Sequence, residues 1–310
     1  MASVRDFLSE WRDSKPYIEA RTSGSTGTPK SIRLLKDDML QSAKATNEFF
    51  GIGRDSVLGL PLSVGYIAGK MMVVRAQLAG CRLLELPVSN HVEVNTPVDL
   101  LSVVPTQLDS LLDQANSEKL IRNLLIGGAP LSAEYERRLL SRGFSAWLGY
   151  GMTETCSHVA IRRIGEDDVF HAMPGISFSH DDRGCLIVNS PSFSWHELAT
   201  NDVVELLSPT AFRWLGRYDN VVNSGGVKLH PEALEKEYRR LIPDLPDFFL
   251  MGEPDEVLGQ HLVMVMENPP AGIVEKIKAR LLDRKTAPKR LVAVAALPRG
   301  ANGKVRRIVP

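Results

Sequence analysis

The 310 residues predict an α/β protein: a large N-terminal α/β domain carrying a small β subdomain, then a small α+β C-terminal domain. Three observations predict this. From about residue 37 to 150, helical and strand-like patterns alternate, which argues for α/β layers. From 160 to 215 short β-like pieces lie between turn residues. After GRYDN, at Gly216–Asn220, a separate helix-and-strand pattern begins. The expected domains are therefore 1–216 and 217–310.

The elements follow in order. YIEA and SIRLL read as two short strands around a long loop, RTSGSTGTPK, at 21–30. DDMLQSAKATNEFFG has apolar residues at helical spacing and stops on Gly51. SVLGL is a short strand. YIAGKMMVVRAQLAG is a mostly buried helix stopped by Gly80, and RLLEL the next strand. VDLLSVV is a buried strand closed by Pro105, TQLDSLLDQA a helix, and LLIGG a strand and turn. SAEYERRLLSRG is a helix with Ser132 as N-cap, and FSAWLGY another strand. CLIVNS, VVELL and AFRWL are the β-like pieces of the subdomain. Beyond them, PEALEKEYRRL is a helix with Pro231 near its start. FFLMG, HLVMVME and LVAVAA are strands, and IVEKIKARLLD is a helix.

Composition narrows the function classes. Hydrophobic residues make up 44% and charged residues 24%, the profile of a soluble globular chain. Lys+Arg and Asp+Glu are both 37, so no net charge draws the protein to nucleic acid or an acidic membrane. Cys81, Cys156 and Cys185 are far apart and form no CxxC or Cys/His pattern, which argues against a disulfide framework or a zinc site. A reducing cytoplasm fits best. The N-terminal MASVRDFLSEW lacks the apolar core of a signal peptide, and no apolar run approaches a membrane span.

Five stretches could carry chemistry. RTSGSTGTPK offers backbone N–H groups, hydroxyls and one cation, which is what a phosphate chain requires. It is not the P-loop of nucleotide triphosphatases, because Pro29 stands where that loop has Gly. In GYGMTET, at 149–155, Tyr150 could stack on a base, Thr153 bond a phosphate and Glu154 hold Mg²⁺. The plainer alternative is an ordinary turn with a surface acid. In ATNDVVEL, Asp202 precedes a strand and could accept from two ribose hydroxyls, although Asp is common in turns. GRYDNVVNSGGVKLHPE places Arg217 and Asp219 before a Ser-Gly-Gly turn; the alternative is a linking hairpin with a surface ion pair. LPRGANGKVRR, at 297–307, is on its own a frayed basic tail.

Taken in this order, the five resemble the adenylate-forming superfamily of acyl- and aryl-CoA synthetases, carrier-linked adenylation domains and luciferases. The resemblance covers about residues 20–307. Within it, LPLSVGYIAG, SVVPTQLDSLL, LLIGGAPLS and GYGMTETCSH look most like the o-succinylbenzoate–CoA ligases of menaquinone biosynthesis. The resemblance implies an acid carboxylate attacking the α-phosphate of ATP, with Mg²⁺, and then CoA displacing AMP from the acyl-adenylate. It implies that Thr22, Ser23, Gly24, Ser25, Thr26, Gly27, Thr28 and Lys30 cradle the β- and γ-phosphates. Thr153 would touch the α-phosphate and Glu154 hold the metal. Tyr150, with Gly151 and Met152, would face the adenine, and Gly128 and Ala129 its other side. Asp202 and Arg217 would hold the ribose, and Lys304 would bridge the carboxylate and the α-phosphate. The C-terminal domain would turn about Asp219 to bring Ser224, Gly225 and Gly226 to a CoA channel. The acyl pocket would lie between VGYIAGK, VPTQ and TCSH. Lys70 is the candidate for the second carboxylate of o-succinylbenzoate, backed by Ser63, Gln107 and His158; against it, a Lys on an apolar helix often snorkels to solvent.

The chain departs from the pattern at five places. Ser31 replaces the Gly that usually closes the first loop, and Asn201 the Gly of the ribose motif. Ser63 and Val64 stand where many relatives have an aromatic-His pair. The first loop begins at Thr22, after far fewer residues than in relatives, and the chain stops soon after Lys304. That reads as a minimal form and raises a partner subunit as the source of the missing surface. The expected partners are small molecules only: a carboxylic acid, ATP and CoA. No nucleic acid and no membrane insertion are expected, and a homo-oligomer stays open. Two other functions compete: loading an acid onto a carrier protein, and an inactive nucleotide-binding relative.

Overall fold

The computed structural model describes residues 3–21, 31–280, 286–299 and 305–308. Two compact units divide the chain. One is Met1–Ser179 with Val188–Leu198 and Leu207–Phe212; the other is His180–Ile187 with Ala199–Leu206 and Arg213–Pro310.

The first unit opens with helix α1 (Val4–Trp11), which the sequence reading left unassigned. Ser3 starts it: its hydroxyl accepts from Asp6 N, and the Asp6 carboxylate accepts from Ser3 N, both at 3.1 Å. Strands β1 (Tyr17–Arg21) and β2 (Ser31–Leu35) then pair antiparallel, with Arg21 opposite Ser31. The strands flanking the first loop are therefore as expected, while residues 22–30 lie outside the described residues, as does Lys304. Helices α2 (Lys36–Phe50) and α3 (Ile67–Ala79) stop on Gly51 and Gly80, at φ of 63° and 64°. Only glycine enters that left-handed conformation without strain, so both glycines act as stop signals.

Five strands run parallel: β3 (Val57–Leu60), β4 (Arg82–Glu85), β5 (Leu100–Val103), β6 (Leu124–Ile126) and β7 (Ala146–Gly151). Helices α4 (Leu108–Asp113), α5 (Ser117–Leu120) and α6 (Ala133–Arg142) connect them. Ser132 caps α6 as its sequence predicts, accepting from Tyr135 N. The core is built from Met71, Met72, Val73 and Val74 of α3 and from Leu58, Leu100, Leu124 and Ile126 of the strands, all nearly inaccessible. Strands β8 (His158–Arg163) and β9 (Val169–Ala172) continue antiparallel from β7. The sequence reading assigned neither. VAIRR is apolar for only three positions before two arginines, too short a run to separate strand from turn.

Strands β10 (Ser177–His180), β11 (Cys185–Asn189), β12 (Glu197–Ser208) and β13 (Ala211–Arg217) each have residues in both units. The strand order of the largest sheet is β10-β11-β12-β13-β9-β8-β7-β6-β5-β3-β4.

The second unit continues with β14 (Val222–Ser224) and β15 (Val227–Leu229), joined by Gly225 and Gly226 at φ of 56° and 80°. Two positive φ values in a two-residue loop are what a tight hairpin demands. Helix α7 (Pro231–Leu241), strands β16 (Phe248–Asp255) and β17 (Gly259–Glu267), helix α8 (Ile273–Arg280) and strand β18 (Arg290–Val294) follow. Their core holds Tyr238, Leu250, Leu262 and Met264. Among the described residues, no helix is long and apolar enough to cross a membrane.

Candidate active site

The loops leaving the carboxyl ends of β3, β5, β6 and β7 carry several of the candidate residues of the first unit, which is where parallel α/β sheets bind ligands. After β3, the Ser63 hydroxyl accepts from Gly65 N at 3.1 Å. A Cβ at Gly69 would sit 2.3 Å from the Ser63 carbonyl oxygen, so glycine is required there. Ser63 thus builds a turn against α3. After β5, Gln107 is 3% exposed. Its amide nitrogen donates to the carbonyls of Pro61 at 3.2 Å and Ser89 at 2.8 Å, and its oxygen accepts from Val104 N at 3.1 Å. The whole amide is occupied in fastening three loops together. After β6, Gly128 has φ of 85° and lies beside Val104, with Ala129 next to it and partly buried.

At the end of β7, the Tyr150 ring meets Phe212 edge-on, with centroids 5.1 Å apart, and Phe170 at 5.8 Å. Gly151 marks a register shift, and its missing Cβ leaves room for the Ser157 carbonyl. The turn Met152–Ser157 is tight. Cys156 takes a φ of 64°, an expensive conformation for a side chain, and burial pushes its thiol up to about 12. Thr153 is partly buried and Glu154 exposed on this turn.

Lys70 is buried against α1. Its ammonium lies 3.1 Å from Glu10 of α1 and 4.6 Å from the centroid of the Phe7 ring. The cation expected to meet a substrate carboxylate is therefore held by one from the chain itself.

Among the described residues, a second cation in α3 has no such partner. Arg75 is 2% exposed, and burial alone brings its pKa down to about 9. Its guanidinium donates to the Ser157 hydroxyl and to the Met72 sulfur, at 3.4 Å for the latter; its Nε has no partner. No carboxylate faces it among the described residues. The contacts continue as a chain. Ser157 Oγ, accepting from Arg75, lies 3.1 Å from His158 Nδ1. His158 Nε2 lies 3.3 Å from Thr46 Oγ1, which donates to the Ser42 carbonyl at 3.0 Å. With that donor used, Thr46 accepts from His158, which assigns the neutral Nε2–H tautomer. Burial, with the Arg75 charge behind it, lowers the His158 pKa to about 3. The sequence reading found His158 but passed over Arg75. The available signal was position: residues 69–76 of α3 are all buried, and a long side chain in mid-helix has no route to water.

The second unit gathers the ribose candidates. Trp214 Nε1 donates to Asp202 Oδ1 at 3.1 Å, and Arg217 approaches the same oxygen at 3.5 Å. Arg217 also reaches Asp219 at 3.6 Å. Asn201, where the family pattern has Gly, turns its amide oxygen toward Arg183 at 3.2 Å, and Arg183 in turn lies over the Tyr218 ring at 5.1 Å. Ser224, Gly225 and Gly226 form the tip of the β14–β15 hairpin.

The donor set fits magnesium in one respect. Among the described residues no group of three or more His, Cys, Asp or Glu side chains could hold a metal. An exposed Glu154 on a turn would supply one carboxylate, and phosphate oxygens and water the rest, as Mg²⁺ commonly requires.

Comparison with known proteins places the sequence and the fold. Residues 16–181 match the family described as AMP-binding enzyme. The 2-succinylbenzoate–CoA ligase of Salmonella typhimurium is 29% identical over 284 residues, covering 86% of this chain and 61% of that protein. The chain thus spans less than two thirds of this relative's length. A solved acyl-CoA synthetase (AMP-forming)/AMP-acid ligase II-like protein from Dyadobacter fermentans is 31% identical, with a TM-score of 0.66, covering 98% of this chain and 91% of that one. The o-succinylbenzoate coenzyme A synthetase of Bacillus subtilis, solved with ATP and magnesium, shares the fold at a TM-score of 0.76 and 22% identity, covering 93% of this chain and 68% of that one. With more than half its length matched, this chain belongs to the AMP-binding enzyme family.

Proposed function

We propose that the chain is an ATP-dependent, AMP-forming acid–CoA ligase acting on o-succinylbenzoate, a keto acid with two carboxylates. The observation that carries the substrate is Arg75. A buried guanidinium without a carboxylate is costly, and a site pays that cost when a ligand supplies the anion. Arg75 and Ser157 would take the distal carboxylate, in preference to Lys70, which Glu10 already neutralises. His158 stays neutral and braces Ser157, adding no second charge.

The remaining roles follow the family pattern. Thr22–Lys30 cradle the β- and γ-phosphates, Tyr150, Gly151 and Met152 with Gly128 and Ala129 frame the adenine, and Asp202 and Arg217 hold the ribose. Magnesium bound at Glu154 would offset phosphate charge as the α-phosphorus is attacked. Thr153 donates to the α-phosphate. Lys304 bridges that phosphate and the reacting carboxylate, which displaces pyrophosphate. Residues 217–310 then act as a lid turning about Asp219, exchanging Lys304 for the Ser224–Gly226 hairpin, and the CoA thiol displaces AMP. The three unpaired cysteines fit a reducing cytoplasm.

The test is acid-dependent pyrophosphate release, with and without CoA, over o-succinylbenzoate, benzoate, acetate and a long-chain fatty acid. The reading expects o-succinylbenzoate to be used at least about tenfold more efficiently than the others, because a site built around a paired charge penalises ligands that lack it. Thioester formation with free CoA separates this reading from carrier loading, and absence of all turnover supports an inactive relative.

A further inference from the structure

Between the nucleotide-side pair Thr153–Glu154 and the acid-side pair Ser157–His158 stands Thr155, to which neither half of the reaction assigns a role. It is fully inaccessible. Its hydroxyl accepts from Met152 N at 3.0 Å, and it lies 2.9 Å from the Met152 carbonyl and 2.7 Å from the Ser157 carbonyl. One proton serves two acceptors, so the hydroxyl is the centre of the turn and its donor is fully committed there. The main chain is tied at the same place. Ser157 N donates to Thr155 O at 2.7 Å, and Cys156 N to Thr153 O at 3.0 Å. The Ser157 carbonyl is confined from the other side by Gly151, where a Cβ would come within 2.2 Å of it. Beyond Ser157 the contacts pass to His158 and Arg75.

From this hub we infer that Thr155 is a positioning residue. It holds Thr153 and Glu154 toward the phosphates and, through the Ser157 carbonyl, keeps the Ser157 hydroxyl set between Arg75 and His158. One buried hydroxyl thereby fixes both substrate sides of the turn. Removing it leaves Met152 N and the Ser157 carbonyl without a partner while Cys156 stays in a strained φ, so the turn should relax at both ends. The inference rests on the ligase reading above.

Thr155→Val keeps the shape and removes the hydroxyl; Thr155→Ser restores it. Two quantities are read: binding of α,β-methylene-ATP with Mg²⁺ by calorimetry, and KM for o-succinylbenzoate in pyrophosphate release. The expected result is that Thr155→Val weakens both by at least about fivefold, while Thr155→Ser stays within about twofold of wild type on both. A change on one side only, on neither side, or an equal loss in Thr155→Ser with a lowered melting temperature overturns the positioning role. Absence of acid-dependent pyrophosphate release in the wild type overturns the ligase reading itself and takes this inference with it.

Discussion

His158 Nδ1 lies 3.1 Å from the Ser157 hydroxyl, and that hydroxyl takes its other hydrogen bond from Arg75. The relation has a direction. Arg75 donates, Ser157 passes the donation on, and His158 hands it to Thr46, so the ring must be neutral. A protonated ring would present two donors, one of them to a hydroxyl that already faces a cation.

The first prediction concerns pH. His158 holds fewer protons folded, at about 3, than unfolded, near the ordinary value of 6.5. Its contribution is therefore fully present above 6.5 and is lost as pH falls toward 3. The slope approaches about 1.4 kcal/mol per pH unit at most. Urea unfolding between pH 7.5 and 5 should show this decline, and His158→Gln should flatten it. An equal decline in the variant would assign acid sensitivity to other groups.

Lys70→Met tests the other cation of α3. The Lys70 side chain is 9% exposed but Glu10 is 38% exposed, so Glu10 returns to water when its partner goes. The methionine stem packs against Phe7 in place of the ammonium. The expected loss is about 1 kcal/mol of stability, with KM for the acid within about twofold of wild type. A tenfold rise in that KM at unchanged stability would return Lys70 to the acyl pocket.

Gln107→Leu should act through the scaffold. It leaves Val104 N and the carbonyls of Pro61 and Ser89 without their partner, at about 2 kcal/mol or more. Differential scanning calorimetry reads the loss. A variant as stable as wild type but selectively poor in acid binding would show that the amide meets substrate.

Lys304→Ala separates the half-reactions. Adenylation should fall on the order of 10²-fold or more, while thioester formation from preformed acyl-adenylate is spared. Equal loss in both steps would contradict a lysine that serves one conformation.

Much of the fold was legible because its signals are local. Gly51 and Gly80 stop helices at positive φ, Ser132 caps one, and Gly225–Gly226 can only be a tight turn. What stayed hidden depends on contacts distant in sequence. Helix α1 begins with Asp6 at a position where Glu or Gln is the familiar signal, and it is held by Lys70, sixty residues away. Strand β8 carries Arg162 inward, where Glu136 of α6 receives it, so its apolar pattern is broken. At the site, the motif residues are named from the family resemblance that their ordered motifs carry. The choice between Lys70 and Arg75 could not be made that way, because both are cations in the same apolar helix. Only packing shows that a carboxylate waits for the first and, among the described residues, none for the second.

The most direct measurement is KM for o-succinylbenzoate and for benzoate in Arg75→Met, alongside its melting temperature. If Arg75 awaits a ligand carboxylate, removing an unpaired buried charge leaves the melting temperature unchanged or higher. In that case KM for o-succinylbenzoate rises roughly tenfold or more and benzoate is unaffected. An o-succinylbenzoate KM within twofold of wild type, or a collapse in stability that takes both acids with it, would contradict the account.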